Sequence, residues 1–288
     1  MDVDKYEFQI GAFECTLFKD YLFTYDAGPF FSNVDPNELA LALNDRNSDA
    51  KKILSPFVSL LVEKGEQRIL IDTGVGSPSE PLQFQGHAVN FDGRLHRLLA
   101  DADIDPASIA HLILTHFHPD HIGGNCDENG SPAFSNAIHW THQREHDFWK
   151  SSQAQELPAL FRYYIDTDIL PLDQVDFRLI DTKEAEIVPG IHTIHTPGHT
   201  PGHLAVLIES DGEHLLFISD TWLHPLHIAH LDWRTVHDMD HETARNSRKQ
   251  MLELASDEKM LVQSFHFEFP GLGWVERDGT GWRWLTKT

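Results

Sequence analysis

Apolar and polar residues alternate in places through residues 6–25, with Phe8 and Ile10 and then Cys15 and Leu17 in the apolar phase, which predicts short antiparallel strands. At Asp35-Pro36-Asn37-Glu38 the pattern changes. Asp35 can cap a helix, Pro36 suits its first position and Glu38 can reach back to the cap, so a helix is expected to about Leu43. Residues 57–62 and 68–71 read as two strands around Lys64-Gly65-Glu66, the second ending in Asp72-Thr73-Gly74. Leu95, Leu98 and Leu99 predict a helix over 93–102, Asp105-Pro106 starts a short helical turn, and residues 111–114 form a strand running straight into His116.

The second half repeats this style. Strands are expected at 137–141, 177–180, 191–195, 204–209, 214–218 and 260–263, helices at 143–150, 153–165 and 240–255, and a closing hairpin around Asp278-Gly279. Neither a Pro/Ser-rich linker nor a short repeat interrupts the chain. The order favours one α/β domain of layered sheets with helices outside, spanning residues 1–288, with 1–55 as an N-terminal extension.

Composition changes the picture in two places. Lys plus Arg number 22 against 45 Asp plus Glu, a formal net charge of −23, and no run of basic residues offsets it. Such a surface repels phosphate backbones, so nucleic acid is not an expected partner. Solubility or a salty medium accounts for the acidity. The 20 histidines, almost as many as all basic residues together, point to metal chemistry. Cys15 and Cys126 are too few and too far apart for a disulfide framework, which fits a reducing compartment. The first residues lack the basic start and apolar core of a signal peptide, and no apolar stretch approaches the roughly 20 residues of a membrane span. A cytoplasmic location without a membrane partner is expected.

The sharpest chemical feature is His116-Phe117-His118-Pro119-Asp120-His121 at the end of a predicted strand. In extended chain, residues two apart point the same way, so His116 and His118 can share one ion. Pro119 turns the chain, and Asp120 and His121 leave in a different direction toward a second. Imidazole with carboxylate suits zinc, manganese or iron. His199 follows Pro197-Gly198 in a loop, while Asp220 and His266 each follow an apolar strand, where α/β proteins place their chemistry. His203 opens the next strand and is either a brace for that loop or the alternative to His199 as ligand. His195 reads as a packed histidine, and Asp72 as support for a ligating histidine. Cys126, after Gly123-Gly124-Asn125, reads as structural.

His116 to His121 resembles the HxHxDH signature of the metallo-β-lactamase superfamily. Ile71-Asp72-Thr73-Gly74 is similar to that family's strand-end element, residues 196–203 (Thr-Pro-Gly-His-Thr-Pro-Gly-His) to its third-histidine motif, and Ser219-Asp220-Thr221 to the element with its bridging aspartate. The resemblance runs from about Pro56 to the end. It implies a four-layer αβ/βα sandwich, two mixed sheets with helices outside. It also implies two divalent metal ions, zinc first, with manganese, iron or cobalt as alternatives. His116, His118 and His199 match one metal site, Asp120, His121 and His266 the other, and Asp220 the bridge.

Residues 264–273, the helix around Pro36 and the closing Trp282-Arg283-Trp284 hairpin resemble the branch containing methyl parathion hydrolase and N-acyl homoserine lactonases. Glu268 stands where that branch usually has Pro, and Ser219 where it has Gly. The resemblance implies a hydrolase whose bridging hydroxide opens a small-molecule lactone or ester, with Asp120 or Asp220 passing the proton to the leaving alkoxide. Phosphotriester hydrolysis is the alternative. Glyoxalase-type thioester hydrolysis comes third, because no basic cluster stands ready for a glutathione carboxylate. A redox di-iron relative would place Glu at position 118, and a nuclease would need phosphate-gripping cations. His224, Trp222 and Phe269 are expected to face the substrate, with Phe30, Phe31, Trp149 and Phe161 shaping the cleft. A homodimer, with residues 1–55 as its arm, is the implied assembly.

Overall fold

The computed structural model describes residues 4–46, 48–84 and 86–287. The chain divides into two compact units, residues 1–21 with 57–185 and residues 22–56 with 186–288. Each is built on a seven-stranded sheet.

In the first unit, β1 (Lys5–Ile10) pairs antiparallel with β2 (Phe13–Asp26), and β3 (Lys52–Lys64) with β4 (Gln67–Ile71). A small separate hairpin, β5 (Leu82–Phe84) and β6 (His87–Val89), precedes three further strands, β7 (His111–Ile113), β8 (Ile138–His142) and β9 (Phe177–Ile180). The sheet order is β1-β2-β3-β4-β7-β8-β9, parallel from β4 onward. Ile69, Leu70 and Ile71 are fully buried, as strands covered on both faces require. The register Ile71↔Ile113 brings the ends of β4 and β7 level, so the residues that follow each strand emerge side by side. Helices Leu95–Asp101 and Gln143–Trp149 lie where their spacing predicts. The single helix expected over 153–165 is broken, because Pro158 cannot continue it and holds Leu157 extended. A 3-10 turn, Ala154–Glu156, precedes it and helix Ala159–Tyr164 follows.

The second unit carries β10 (Glu184–Val188), β11 (Ile191–His195), β12 (Leu204–Ser210), β13 (Glu213–Phe217), β14 (Leu261–Gln263), β15 (Leu272–Asp278) and β16 (Gly281–Thr286), hydrogen-bonded in that order. β13 and β14 pair in parallel, which helix His241–Asp257 makes possible as a crossover. Asp240 caps that helix, accepting from the N–H groups of Glu242 and Thr243 at 3.1 Å each. Its Met251, Leu252 and Ala255 pack with Leu216, Ile218, Trp222 and Val262. Helix Pro36–Asn44 starts as predicted, with Asp35 Oδ1 accepting from Asn37 N–H at 2.9 Å and Glu38 N–H at 3.3 Å. It buries Leu39 and Leu43 against Phe30, Phe31, Leu223, Leu226 and Trp233. Phe30 and Phe31 are therefore core residues rather than cleft walls, and truncating Leu43 to Ala would cost about 3 kcal/mol. Both mixed sheets and their helices form the α/β fold expected. Among the described residues, no helix is long and apolar enough to cross a membrane. Cys15 and Cys126 are both free thiols.

Candidate metal centre

In the first unit, the level ends of β4 and β7 place Asp72 beside the histidine motif. Asp72 sits at φ +57°, a left-handed conformation that turns its carboxylate under Thr115. Its Oδ1 accepts from Thr115 N–H at 2.8 Å, and its Oδ2 accepts from the Thr115 hydroxyl at 2.8 Å and lies 2.7 Å from His121 Nδ1. A carboxylate accepts only, so Nδ1 carries the proton and Nε2 presents its lone pair. Burial pushes the Asp72 carboxyl up, and His121 and Thr115 pull it back. Gly74 at φ +73° completes the turn, for a Cβ there would lie 2.3 Å from Asp20 Cγ.

Pro119 turns the chain into a single helical turn, Pro119–Ile122. His116 and His118 offer ligand atoms within 4.8 Å of each other, as do Asp120 and His121. The His116 ring centroid is 4.8 Å from that of His118 and 4.0 Å from that of His121. All three imidazoles are buried, while Asp120 keeps 14% of its side chain exposed. Behind them lies a residue that sequence reasoning missed. Glu145, fully buried, accepts from Phe117 N–H at 2.9 Å and from the Trp149 indole at 2.7 Å, pinning the backbone of the motif. Trp149 and Phe161 stand against the His118 ring at 5.8 and 5.6 Å. Trp149 is fully buried, Phe161 half-buried.

In the second unit, the loop between β11 and β12 carries His199. Gly198, at φ +124°, lets that loop lie on helix His241–Asp257, since a Cβ there would fall 2.0 Å from Ala244 N. His199 Nε2 is 3.1 Å from Asp220 Oδ2, and His266 Nε2 is 3.2 Å from the same oxygen. The opposite nitrogens are held away. His199 Nδ1 lies 3.1 Å from Asp238 Oδ1, and His266 Nδ1 lies 2.8 Å from Ser55 Oγ and 3.3 Å from the Pro56 carbonyl. Two buried imidazoles thus aim Nε2 at one buried carboxylate, a donor set that a cation completes. Burial alone would push the His199 imidazole down, but Asp220 and Asp238 outweigh it and hold it up at about 9.

Asp220 is aimed by its backbone. Ser219 adopts φ +46°, and Asp220 N–H donates to His203 Nε2 at 3.0 Å. His203 Nδ1 in turn bonds the Thr196 hydroxyl at 2.8 Å, so both of its ring nitrogens hold the loop. Trp222 is fully buried in the core of the unit, and its indole donates to Ser264 Oγ at 2.9 Å. Its position after a strand end gave no sign of which way the ring turns. His224 is half-buried, caps helix Pro225–Ala229 through Nδ1, and meets the Phe31 ring at 5.6 Å. Burial, with Arg46 second, pushes its imidazole down to about 3. Phe269 is half-buried in the turn before β15. Asp238, Arg248 and Ser55 were missed as well. None lies in a motif, and each acts on a residue distant along the chain.

A family model described as the metallo-beta-lactamase superfamily matches residues 57–262. The chain belongs to this superfamily. N-acyl homoserine lactonase of a Bacillus species is 28% identical over 72% of this chain and 79% of its own length. N-acyl homoserine lactonase AiiA of Bacillus thuringiensis subsp. kurstaki is 26% identical over 77% of this chain and 85% of its own. Among solved structures, AidC, a dizinc quorum-quenching lactonase, superposes with a TM-score of 0.86 at 26% identity, covering 99% of this chain and 97% of AidC. The hydrolase AbOPH shares the fold, with a TM-score of 0.86 at 22% identity over 100% of this chain and 99% of its own. The superfamily branch expected from the sequence is the one in which these relatives lie, and the homologues and fold are those of metal-dependent hydrolases.

Proposed function

We propose that this metallo-beta-lactamase-fold hydrolase opens N-acyl homoserine lactones with two divalent metal ions, zinc in the first instance. In this reading His116, His118 and His199 hold one ion, Asp120, His121 and His266 hold the other, and Asp220 lends a carboxylate oxygen to each. The observation that carries it is the convergence of His199 Nε2 and His266 Nε2 on Asp220 while both Nδ1 atoms are spent on oxygen acceptors. When bound, the ions would supply Lewis acidity toward the ester carbonyl and a hydroxide nucleophile near neutral pH.

The protein's own side chains do the rest. Asp72 fixes the tautomer of His121, Asp238 that of His199, and Pro56 with Ser55 that of His266. Asp120 is the least buried ligand of the motif, which suits its carboxylate to receive a proton and hand it to the leaving alkoxide. His224 and Phe269, both half-buried, are proposed as substrate contacts. Zinc and a lactone are favoured by the relatives, which include a dizinc lactonase and N-acyl homoserine lactonases. A quorum-quenching role and a homodimer belong to the same reading, the latter tested by light scattering.

The test is turnover of N-hexanoyl homoserine lactone, a paraoxon-type triester and an acyl thioester by zinc-loaded protein. The expected result is a kcat/KM for the lactone at least 100-fold above the others. Preferential turnover of the triester or the thioester overturns the substrate assignment.

A further inference from the structure

We infer that Arg248 is a positioning residue for two of the proposed ligands at once, His199 and Asp220; this rests on the metal reading above. Arg248 lies on helix His241–Asp257 and is 1% exposed, in a protein whose other arginines are mostly at the surface. Its fork makes three bonds to three segments. Nε–H donates to the Thr221 carbonyl at 3.1 Å, Nη1 to the Trp233 carbonyl at 3.2 Å and Nη2 to Asp238 Oδ2 at 3.4 Å.

The consequences run outward from these bonds. Thr221 directly follows Asp220, so the Nε–H bond holds the turn that aims that carboxylate. Asp238 accepts from Arg248 with one oxygen and faces His199 Nδ1 with the other at 3.1 Å, so the Nη2 bond sets the acceptor that orients the imidazole. Two ligands that are distant in sequence are therefore referred to one rigid, planar cation. A helix of 17 residues, anchored by Met251, Leu252 and Ala255 in the core, provides the platform. Lys cannot replace this fork, because an ammonium is a point charge and cannot span two carbonyls and a carboxylate in fixed geometry. The arrangement also explains why Asp238, although buried, does not need the ligating histidine as its only counter-charge.

The experiment compares wild type, Arg248→Lys, Asp238→Asn and the double variant. Zinc stoichiometry and affinity are measured by chelator competition on folded protein, alongside the absorption spectrum of the cobalt-substituted form and the Tm. Wild type is expected to bind two ions. Arg248→Lys is expected to bind both of them about 10–100-fold more weakly and to shift the cobalt spectrum, and Asp238→Asn to weaken at least the ion held by His199 by a similar factor. The double variant is expected to be no worse than the poorer single one, since both act through one chain of bonds. Wild-type zinc affinity and an unshifted cobalt spectrum in Arg248→Lys, whatever its Tm, overturn the inference. So does strict additivity in the double variant. If Arg248→Lys does not fold, Asp238→Asn reads the same chain from its other end, and wild-type binding there overturns it equally. A wild-type protein that takes up no zinc overturns the metal reading itself, a result distinct from an unaffected variant of a protein that binds two ions.

Discussion

In the first unit, four proposed ligands occupy six consecutive residues, 116–121, and two buried carboxylates brace them, Asp72 through Thr115 and His121 and Glu145 through Phe117. In the second unit, three proposed ligands come from three separate strand ends, and each needs its own long-range support: Asp238 for His199, His203 for Asp220, Ser55 and Pro56 for His266. The local array is held by backbone geometry, a proline turn and two buried carboxylates. The dispersed array is held by side chains that the fold must deliver. Substitutions in the first should therefore act one ligand at a time, while the second should fail together when a shared support goes.

The strongest test of that contrast is Asp220→Ala against His118→Ala. Loss of Asp220, the carboxylate proposed as shared, should abolish binding of both ions and lower lactone opening on the order of 1,000-fold or more. His118→Ala should leave one ion bound. Elemental analysis reads both, and equal stoichiometry in the two variants would erase the distinction.

A smaller effect is expected from Asp72→Asn. An amide cannot serve as acceptor to Thr115 and His121 with both of its polar atoms, so zinc affinity should fall by about 10–100-fold. The loss should be confined to the site containing His121. A uniform weakening of both ions would mean that the first array is not locally braced.

Protons separate two kinds of histidine in the second unit. Burial pushes His224 down to about 3 and His237 down to about 4, so both stay neutral in the folded protein while the unfolded chain takes up protons below about 6.5. Their contribution to stability is present above about 6.5 and is lost as pH falls toward 4. His199 is the opposite case. Held up at about 9 by its carboxylates, it stabilises the metal-free protein fully below about 6.5, and that contribution is lost as pH rises through 9. Thermal unfolding of chelated protein should accordingly give a maximum near pH 6.5. Zinc replaces the proton and should flatten the alkaline side alone. An alkaline decline that zinc leaves unchanged would remove His199 from the ligand set.

The smallest effect is expected at Ser219, which holds φ +46° with a side chain that disfavours it. Ser219→Gly should stabilise the protein by about 1 kcal/mol with zinc affinity unchanged, read from urea midpoints and chelator competition. Destabilisation would mean that the Ser219 side chain contributes more than its backbone strain costs.

The same contrast explains what the sequence made legible. HxHxDH was readable because its ligands share one local turn, and the helix at Pro36 because cap and first turn lie in four adjacent residues. The strand ends before Asp220 and His266 were readable from apolar runs that stop abruptly. Arg248, Asp238, Glu145 and Ser55 were not, because each is an ordinary polar residue in a helix, loop or strand whose importance comes only from a distant partner. The direction of the Trp222 ring was hidden for the same reason, since an aromatic after a strand can turn to a core or to a cleft. Strands β5, β6 and β10 escaped because, unlike the similarly short β7 and β14, they lie on no unbroken apolar run longer than a pair of residues.

The central claim is that seven side chains from these two arrays bind a pair of cations that drives lactone hydrolysis. Metal content of the purified protein, measured together with lactone opening before chelation, after chelation and after zinc is restored, tests it most directly. The account predicts two ions per chain, activity lost with the metal and regained with zinc. Full lactone turnover by a protein with no bound metal, or with one ion, would contradict it.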